Sequence, residues 1–331
     1  MQFIHILSHR SYGRISKTVY LEAKLLPFQL HYLEIDENDM KLPLLSKPLL
    51  HTFWTDCPDV DTYKSSVREA INCWMQKIKD KNITDWFIIH VDQTEVKKGI
   101  NKTKLLPRSS VLDKIKSDFS SGKNGVERCI TLLDQQRNDS KASESYQLFL
   151  QRLRLLLLQS YSRQLLKYEE YIRTQRENRT SPNWNFFHFF FLQEELAFVF
   201  EMLGLYDEAL VQYDELDALF SQFVINSNSM EIPSWLSKLS EHCDNWNGLC
   251  LSSVISKSLR EQFKTGKATH FDLRNYLFSR QCELLMLLNK PWELASRSLP
   301  FLQNCVNEIQ ILEVRNDVLI SFYYLQFFRL M

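Results

Sequence analysis

Glycine and proline are scarce in this chain, 7 and 9 among 331 residues, about 5% together where an average protein has roughly 12%. That shortage argues against collagen-like, disordered and turn-rich β architectures, and it leaves little glycine for loops that cradle phosphate. An excess of either charge is missing too, because 40 Lys and Arg balance 40 Asp and Glu. Binding to nucleic acid or to an anionic membrane would therefore need a local patch, and no nucleic-acid partner is expected. The cysteines Cys57, Cys73, Cys129, Cys243, Cys250, Cys282 and Cys305 are odd in number and include no C-x-x-C pair, which predicts reduced cytosolic thiols. Of these only His242-Cys243 with Cys250 suggests a metal; no second pair lies nearby to complete four ligands, so none is expected. The most apolar runs, residues 186–192 and 318–328, fall short of the roughly 20 residues that span a bilayer. Residues 1–10 lack the basic leader of a signal peptide. The N-x-S/T sequences at Asn82, Asn101, Asn138 and Asn178 then read as chance matches.

What is present is length for about two domains at roughly 150 residues each, with 22 Phe, 13 Tyr and 7 Trp to anchor helix packing. Residues 1–133 read as an α/β domain. Residues 49–54 form a strand, and Val67, Ile71, Trp74 and Ile78 form the stripe of a helix. Residues 85–91 are a near-continuous apolar run, the pattern of a strand covered on both faces. Ser109 or Ser110 caps a further helix with Leu112, Ile115 and Phe119 inward and Asp113 at its positive end. Residues 128–133 close the series, and strand-helix alternation predicts right-handed crossovers in a mainly parallel sheet. A polar joint follows at residues 134–143, and then the period changes. Phe149, Leu153, Leu157, Tyr161, Leu165, Tyr168 and Ile172 make one stripe at spacings of three and four, a long helix.

From residue 144 to 314 the pattern is that of an irregular, TPR-like α-solenoid, making the fold class α+β overall. Ala197, Phe200, Gly204, Tyr206, Ala209 and Tyr213 carry the small and aromatic positions of a tetratricopeptide-type hairpin, with Gly204 at the turn and Ala209 where the helices touch. A weaker echo without glycine is expected at Lys290, Trp292, Ala295 and Leu299. Residues 180–237 contain no Lys or Arg and nine acids, whereas residues 141–179 are rich in bases. Two readings stand open: the basic helix lies against the acidic hairpin, or Asp207, Glu208, Asp214, Glu215 and Asp217 form an acidic docking face for a basic partner. Either way the segment should avoid anionic lipid.

Catalytic signatures are absent from the chain. No strand is followed by G-x-G-x-x-G or by a P-loop; Asn101-Lys102-Thr103 lacks the glycines, and Lys104 stands where a guanine-reading motif needs a carboxylate. No G-x-S-x-G, H-E-x-x-H or C-G-[SA]-C occurs. Adjacent acids such as Glu194-Glu195, Glu169-Glu170 and Asp207-Glu208 diverge by about 100° on a helix and read as solvated faces. His188, within Phe186-Phe187-His188-Phe189-Phe190, reads as a partly buried, satisfied histidine. Catalytic residues, cofactors and metals are therefore all expected to be none.

The residues then become specific. The run from Gln193 to Leu203, continuing through Tyr206 and from Glu208 to Gln222, together with Ser11-Tyr12-Gly13-Arg14, Asp85-Trp86, Leu106-Pro107-Arg108, Trp246-Asn247-Gly248-Leu249 and Tyr276-Leu277-Phe278-Ser279-Arg280-Gln281-Cys282, resembles the subunit 10 family of the trafficking protein particle (TRAPP) complex. The resemblance is collinear from about residue 9 to 314. It implies a non-catalytic scaffold of the second TRAPP form, cytoplasmic and peripheral at the cis-Golgi or trans-Golgi network. There it would support vesicle-mediated transport and tethering. In that family the small core subunits carry Rab nucleotide exchange and the large subunits direct which Rab is accepted. Implied partners are other TRAPP subunits and, indirectly, a Rab GTPase, with membrane association through the complex only. The same resemblance implies that the α/β domain is incomplete, lacking its first strand or strands, and that residues 315–331 are an atypical apolar tail, a translated intron or an alternative end. A stand-alone cytosolic helical adaptor is the competing reading.

Overall fold

The computed structural model describes residues 4–6, 17–19, 25–27, 48–93, 110–120, 127–134, 140–227, 232–240 and 257–313. The sequence features at residues 11–14, 101–108, 135–139, 241–256 and 314–331 lie outside them. The chain divides into two compact units, residues 1–168 and 169–331.

In the first unit, β1 (Ile4–Ile6) and β2 (Lys17–Val19) pair antiparallel. The strand β3 (His51–Thr55) leads to α1 (Val60–Thr62), a π-helical turn at Tyr63–Val67 and α2 (Arg68–Asp80). The strand β4 (Trp86–Asp92), α3 (Val111–Phe119), β5 (Cys129–Leu133) and α4 (Ser140–Glu177) follow. The three longer strands form a parallel sheet in the order β3-β4-β5. Alternation along the central strand explains its apolar run. Ile88 enters a core with Ile71, Trp74, Ile78 and Ile115 of α2 and α3, while Phe87 and Ile89 point the other way, to Ile130 and to Phe149 and Leu156 of α4. Ser110 is the helix cap, and it closes a capping box with Asp113.

The polar joint at 134–143 does not separate the packing. The first half of α4 is the lid on one face of the sheet, with Phe149 stacked on Phe87 at 6.2 Å, so the boundary between compact units falls inside α4 after Tyr168. Ion pairing reinforces this lid at the amino-terminal edge of the sheet. Asp85, directly before β4, takes the Arg163 guanidinium of α4, and Arg163 also donates to Thr84 Oγ1 at 3.0 Å. Arg128 donates to the Thr84 carbonyl and lies 5.3 Å over the Trp86 ring. Burial lowers the His51 pKa, and the neighbouring Asp85 opposes that shift.

In the second unit, α5 (Phe186–Met202), α6 (Tyr206–Asn226), α7 (Ser234–Ser237), α8 (Lys257–Thr265), α9 (His270–Leu287) and α10 (Pro291–Ile311) stack as a helical solenoid. The α6 helix packs on α5, α9 and α10, while α8 packs on α5. The Phe-rich start of α5 is buried nearly all round by Phe220 of α6, Trp235 of α7, Phe263 of α8 and Tyr276 of α9. His188 is exposed, a correction to its expected partial burial: Phe187 and Phe189 on either side of it take the buried directions. Among the described residues, no helix is long and apolar enough to cross a membrane.

Replacing Phe149 by Ala should cost about 3–5 kcal/mol through lost burial and a residual cavity under α4. Leu148→Ala, at an exposed position, should change stability by no more than about 0.5 kcal/mol. Denaturant midpoints of the two variants check this, and equal midpoints would contradict the role of α4 as the cover of the sheet.

Candidate interaction surface

The hairpin turn between α5 and α6 follows from one backbone requirement. Gly204 sits at φ +66°, the left-handed region, and the Leu205 amide donates back to the Phe200 carbonyl at 2.8 Å, closing a Schellman-type helix end. A Cβ at Gly204 would meet nothing within 4 Å, so glycine serves conformation here, not space. Ala197 and Ala209 are fully buried, with Phe200 and Tyr213 buried beside them and Tyr206 half-buried at the start of α6. The second hairpin makes the same turn, but one residue earlier than its expected echo. Asn289 takes φ +57° and the Lys290 amide reaches the Leu285 carbonyl at 2.8 Å. Asn289 thus corresponds to Gly204, and asparagine tolerates the left-handed region better than most residues. The slip moves Trp292, Ala295 and Leu299 off the packing positions, and all three are exposed.

The acidic residues of α6 are engaged mainly by the second hairpin. Asp207 pairs with Lys290 Nζ at 3.1 Å and Asp214 with Arg297 Nη1 at 2.7 Å. Both pairs are separated by 83 residues, because α6 and α10 present a base opposite an acid at matching seven-residue intervals. Asp217 takes the Arg274 guanidinium of α9, and Gln281 Nε2 donates to Asp214 Oδ1 at 2.9 Å. Glu215 pairs with Arg176, at the end of the basic helix α4, and accepts from Gln193 Nε2 at 2.7 Å. Glu208 is half-buried in the first turn of α6, where with Asp207 it favours the positive helix end. The basic long helix therefore supplies one partner, Arg176, while α9 and α10 supply Arg274, Lys290 and Arg297.

Beneath this rim lie charges that the sequence reading missed. Glu194, expected on a solvated face, is fully buried; it accepts from the Tyr276 hydroxyl and stands 3.0 Å from Arg260 Nη2. Burial pushes the Glu194 carboxyl up to about 7, against the pull of Arg260 and the Tyr276 hydrogen bond. Arg280 is buried as well, its guanidinium shared among Glu201, Glu283 and the Tyr213 hydroxyl. Around Arg274, which is also paired with Asp217, Glu308 bonds His270 Nε2 and Ser221 Oγ, each at 2.8 Å. Burial would raise the Glu308 carboxyl, but the His270 hydrogen bond and the Arg274 charge hold it below its ordinary value. Burial likewise lowers the His270 pKa, so at neutral pH a neutral imidazole donates to an ionised carboxylate. These carboxylates lock neighbouring helices to one another. For Arg280 alone a sequence clue was available, since it stands within the mainly apolar run Tyr276-Leu277-Phe278-Ser279-Arg280-Gln281-Cys282; the whole run is buried, and a charge there must be paired. Among the described residues, no group of three or more His, Cys, Asp and Glu could hold a metal ion.

Ala209→Arg should cost several kcal/mol, because it drives an unpaired charge into a closed helix contact. Asp217→Ala should cost about 3 kcal/mol by stripping a carboxylate from the buried Arg274, whereas Asp207→Ala, removing half of a surface pair, should cost at most about 1 kcal/mol. Thermal melts of the three variants check this ranking. The raised Glu194 pKa has a definite sign. The folded value lies above the ordinary 4.5, so its contribution is fully present below that value and is lost as pH rises through about 7. Glu194→Gln should therefore flatten the fall in stability over this window, as read from denaturant midpoints across pH. An unchanged slope would show that Glu194 does not titrate there.

Residues 5–179 match the family model described as trafficking protein particle complex subunit 10-like, N-terminal. Trafficking protein particle complex subunit 10 of Homo sapiens is 45% identical over 305 residues, 92% of this chain and 24% of the human protein. The Drosophila melanogaster protein of the same name is 39% identical over 306 residues, 92% of this chain and 26% of its own length. An Arabidopsis thaliana protein named trafficking protein particle complex II-specific subunit 130 homolog is 30% identical over 250 residues, 74% of this chain and 18% of its own length. The chain thus spans about a quarter of the length of the animal relatives it matches. No solved structure matches. With more than half of its residues inside the family model, the chain belongs to the trafficking protein particle complex subunit 10-like family.

Proposed function

We propose that this chain is a non-catalytic scaffold of the TRAPP complex, in its second form. It supports Rab activation and vesicle tethering at the Golgi through other TRAPP subunits and meets the membrane only through the assembly. The observation that carries this reading is the similarity to subunit 10 over nearly the whole chain. The use of buried charge supports it: Glu194, Arg274, Arg280 and Glu308 are spent on helix-to-helix contacts, which is the chemistry of a packing element. Asp207, Glu208, Asp214, Glu215 and Asp217 form the candidate docking face. Asp207 and Glu215 keep the most exposed side chains of the four whose ion pairs are described, 46% and 40%, and so remain open to a basic partner at the rim.

Purification of the tagged chain from cells, with co-purifying proteins identified by mass, tests the scaffold reading. Other TRAPP subunits are expected, and their absence would favour a stand-alone helical adaptor. Capture should weaken as salt rises, since exposed charges are screened over about 8 Å at physiological ionic strength. Asp207→Lys combined with Glu215→Lys should weaken it further while the chain stays folded. Capture unchanged by both would take the acidic face out of the assembly.

A further inference from the structure

The two hairpin turns of the helical unit meet at one end of the stack. Asp207, just after the Gly204 turn, pairs with Lys290, just after the Asn289 turn, so α5 and α9 end where α6 and α10 begin. Four large apolar side chains mark that end: Met202 closes α5, Met286 and Leu287 close α9, and Trp292 lies in the first turn of α10. Each is more than half exposed, Trp292 by 70%. The core is filled without them, because Leu203, Leu284 and Leu285 take the inward directions and are buried. The opposite end is closed by its own tryptophan. Trp235 of α7 is buried there, stacked on Phe186 of α5 at 5.4 Å and edge-on to Phe223 of α6 at 5.3 Å. Single exposed apolar residues are ordinary on a protein surface, but an indole, two thioethers and a leucine gathered at one end have the composition of a contact surface.

The charge around these side chains says what kind of partner fits. Among the described residues near the two turns, the acids are Glu201, Asp207, Glu208, Glu283 and Glu293, and the bases are Arg280, Lys290 and Arg297. Arg280 is buried and turns its guanidinium inward to Glu201 and Tyr213, while Arg297 is divided between Glu293 and Asp214. Acids therefore exceed bases, and Lys290 is the base that stands at the turns themselves. We propose that this end of the stack docks an amphipathic helix of a partner protein, one whose apolar stripe is flanked by Lys or Arg. The flexible methionines and the flat indole adapt to aliphatic side chains, and the acidic margin favours a basic helix over an acidic one. The site shares Asp207 and Glu208 with the acidic face proposed above and rests on that reading to this extent; its apolar half adds the anchor that the charges lack.

The test pans a display library of random peptides, about 15 residues long and so able to form a helix once docked, on the full chain with counter-selection on Trp292→Asp. An acid is tolerated in the first turn of a helix, so that variant keeps its fold. Enriched peptides are expected to place Leu, Ile, Met or Phe at spacings of three and four and to carry more Lys and Arg than Asp and Glu. Made synthetically, they should bind about tenfold or more weakly to Met286→Ser combined with Leu287→Ser, and undiminished to Ile225→Ser, an exposed apolar position at the opposite end of α6. Absence of Trp292-dependent enrichment, or enrichment of acidic or uncharged peptides, would overturn the proposal. So would a dimer in sedimentation that Trp292→Asp dissociates, since a second copy would then hold the site. No TRAPP subunit enters this experiment, so its failure is distinct from the absence of those subunits among co-purifying proteins.

Discussion

A guanidinium with no access to water must be given carboxylates, and the helical unit is arranged around that demand. Arg274 and Arg280 lie six residues apart on α9, the central helix of the stack, and both are buried. Arg274 is neutralised by Asp217 of α6 and Glu308 of α10, and Arg280 by Glu201 of α5 and its own neighbour Glu283. Three different helices must therefore be in place before α9 can be buried. A purely apolar α9 could slide or rotate against its neighbours at little cost, whereas a buried pair tolerates few arrangements. The rings above Arg280, Phe198 and Tyr213 at 5.8 and 5.5 Å, add cation–π contact to the same constraint.

The sheet unit solves a different problem with a similar device. Three parallel strands have two faces to cover, and the crossover helices α2 and α3 cover one. The other is left to α4, which arrives only after the last strand. Asp85 and Arg163 fix where along the sheet that helix settles, and the stacked rings of Phe87 and Phe149 fill the space beneath it.

Periodicity made much of this legible before any coordinates. The strands around residues 51, 86 and 129, the Ile71-Trp74-Ile78 stripe and the hairpin turn at Gly204 are all local patterns, set by residues within one turn or one strand of each other. The division inside α4 was not legible, because a polar stretch in sequence says nothing about which later side chains return to the sheet. Nor was the burial of Glu194 and Glu308, since carboxylates default to solvent and their partners lie 82 and 38 residues away, at Tyr276 and His270. The partners of the acidic face were half legible. The seven-residue spacing of Asp207 and Asp214 is repeated by Lys290 and Arg297, a match that acquires meaning only once α6 and α10 are known to be neighbours. The one-residue slip of the second hairpin came from carrying over the aromatic and alanine offsets of the first, whereas the left-handed residue is Asn289, an asparagine doing what glycine does at 204.

That interchange between Gly204 and Asn289 bears on how such a stack can change in length. The joint between successive helices demands little: a residue willing to adopt positive φ, with open space around it at Gly204. The helix faces demand a great deal, since acids and bases must meet at fixed intervals and small residues must stand where helices touch. Joints of this kind are cheap to duplicate, while a new helix is accepted only if its side chains answer those of the last one. Which helices can pack side by side is thus set by the chemistry of the faces that meet, more than by the turns that join them.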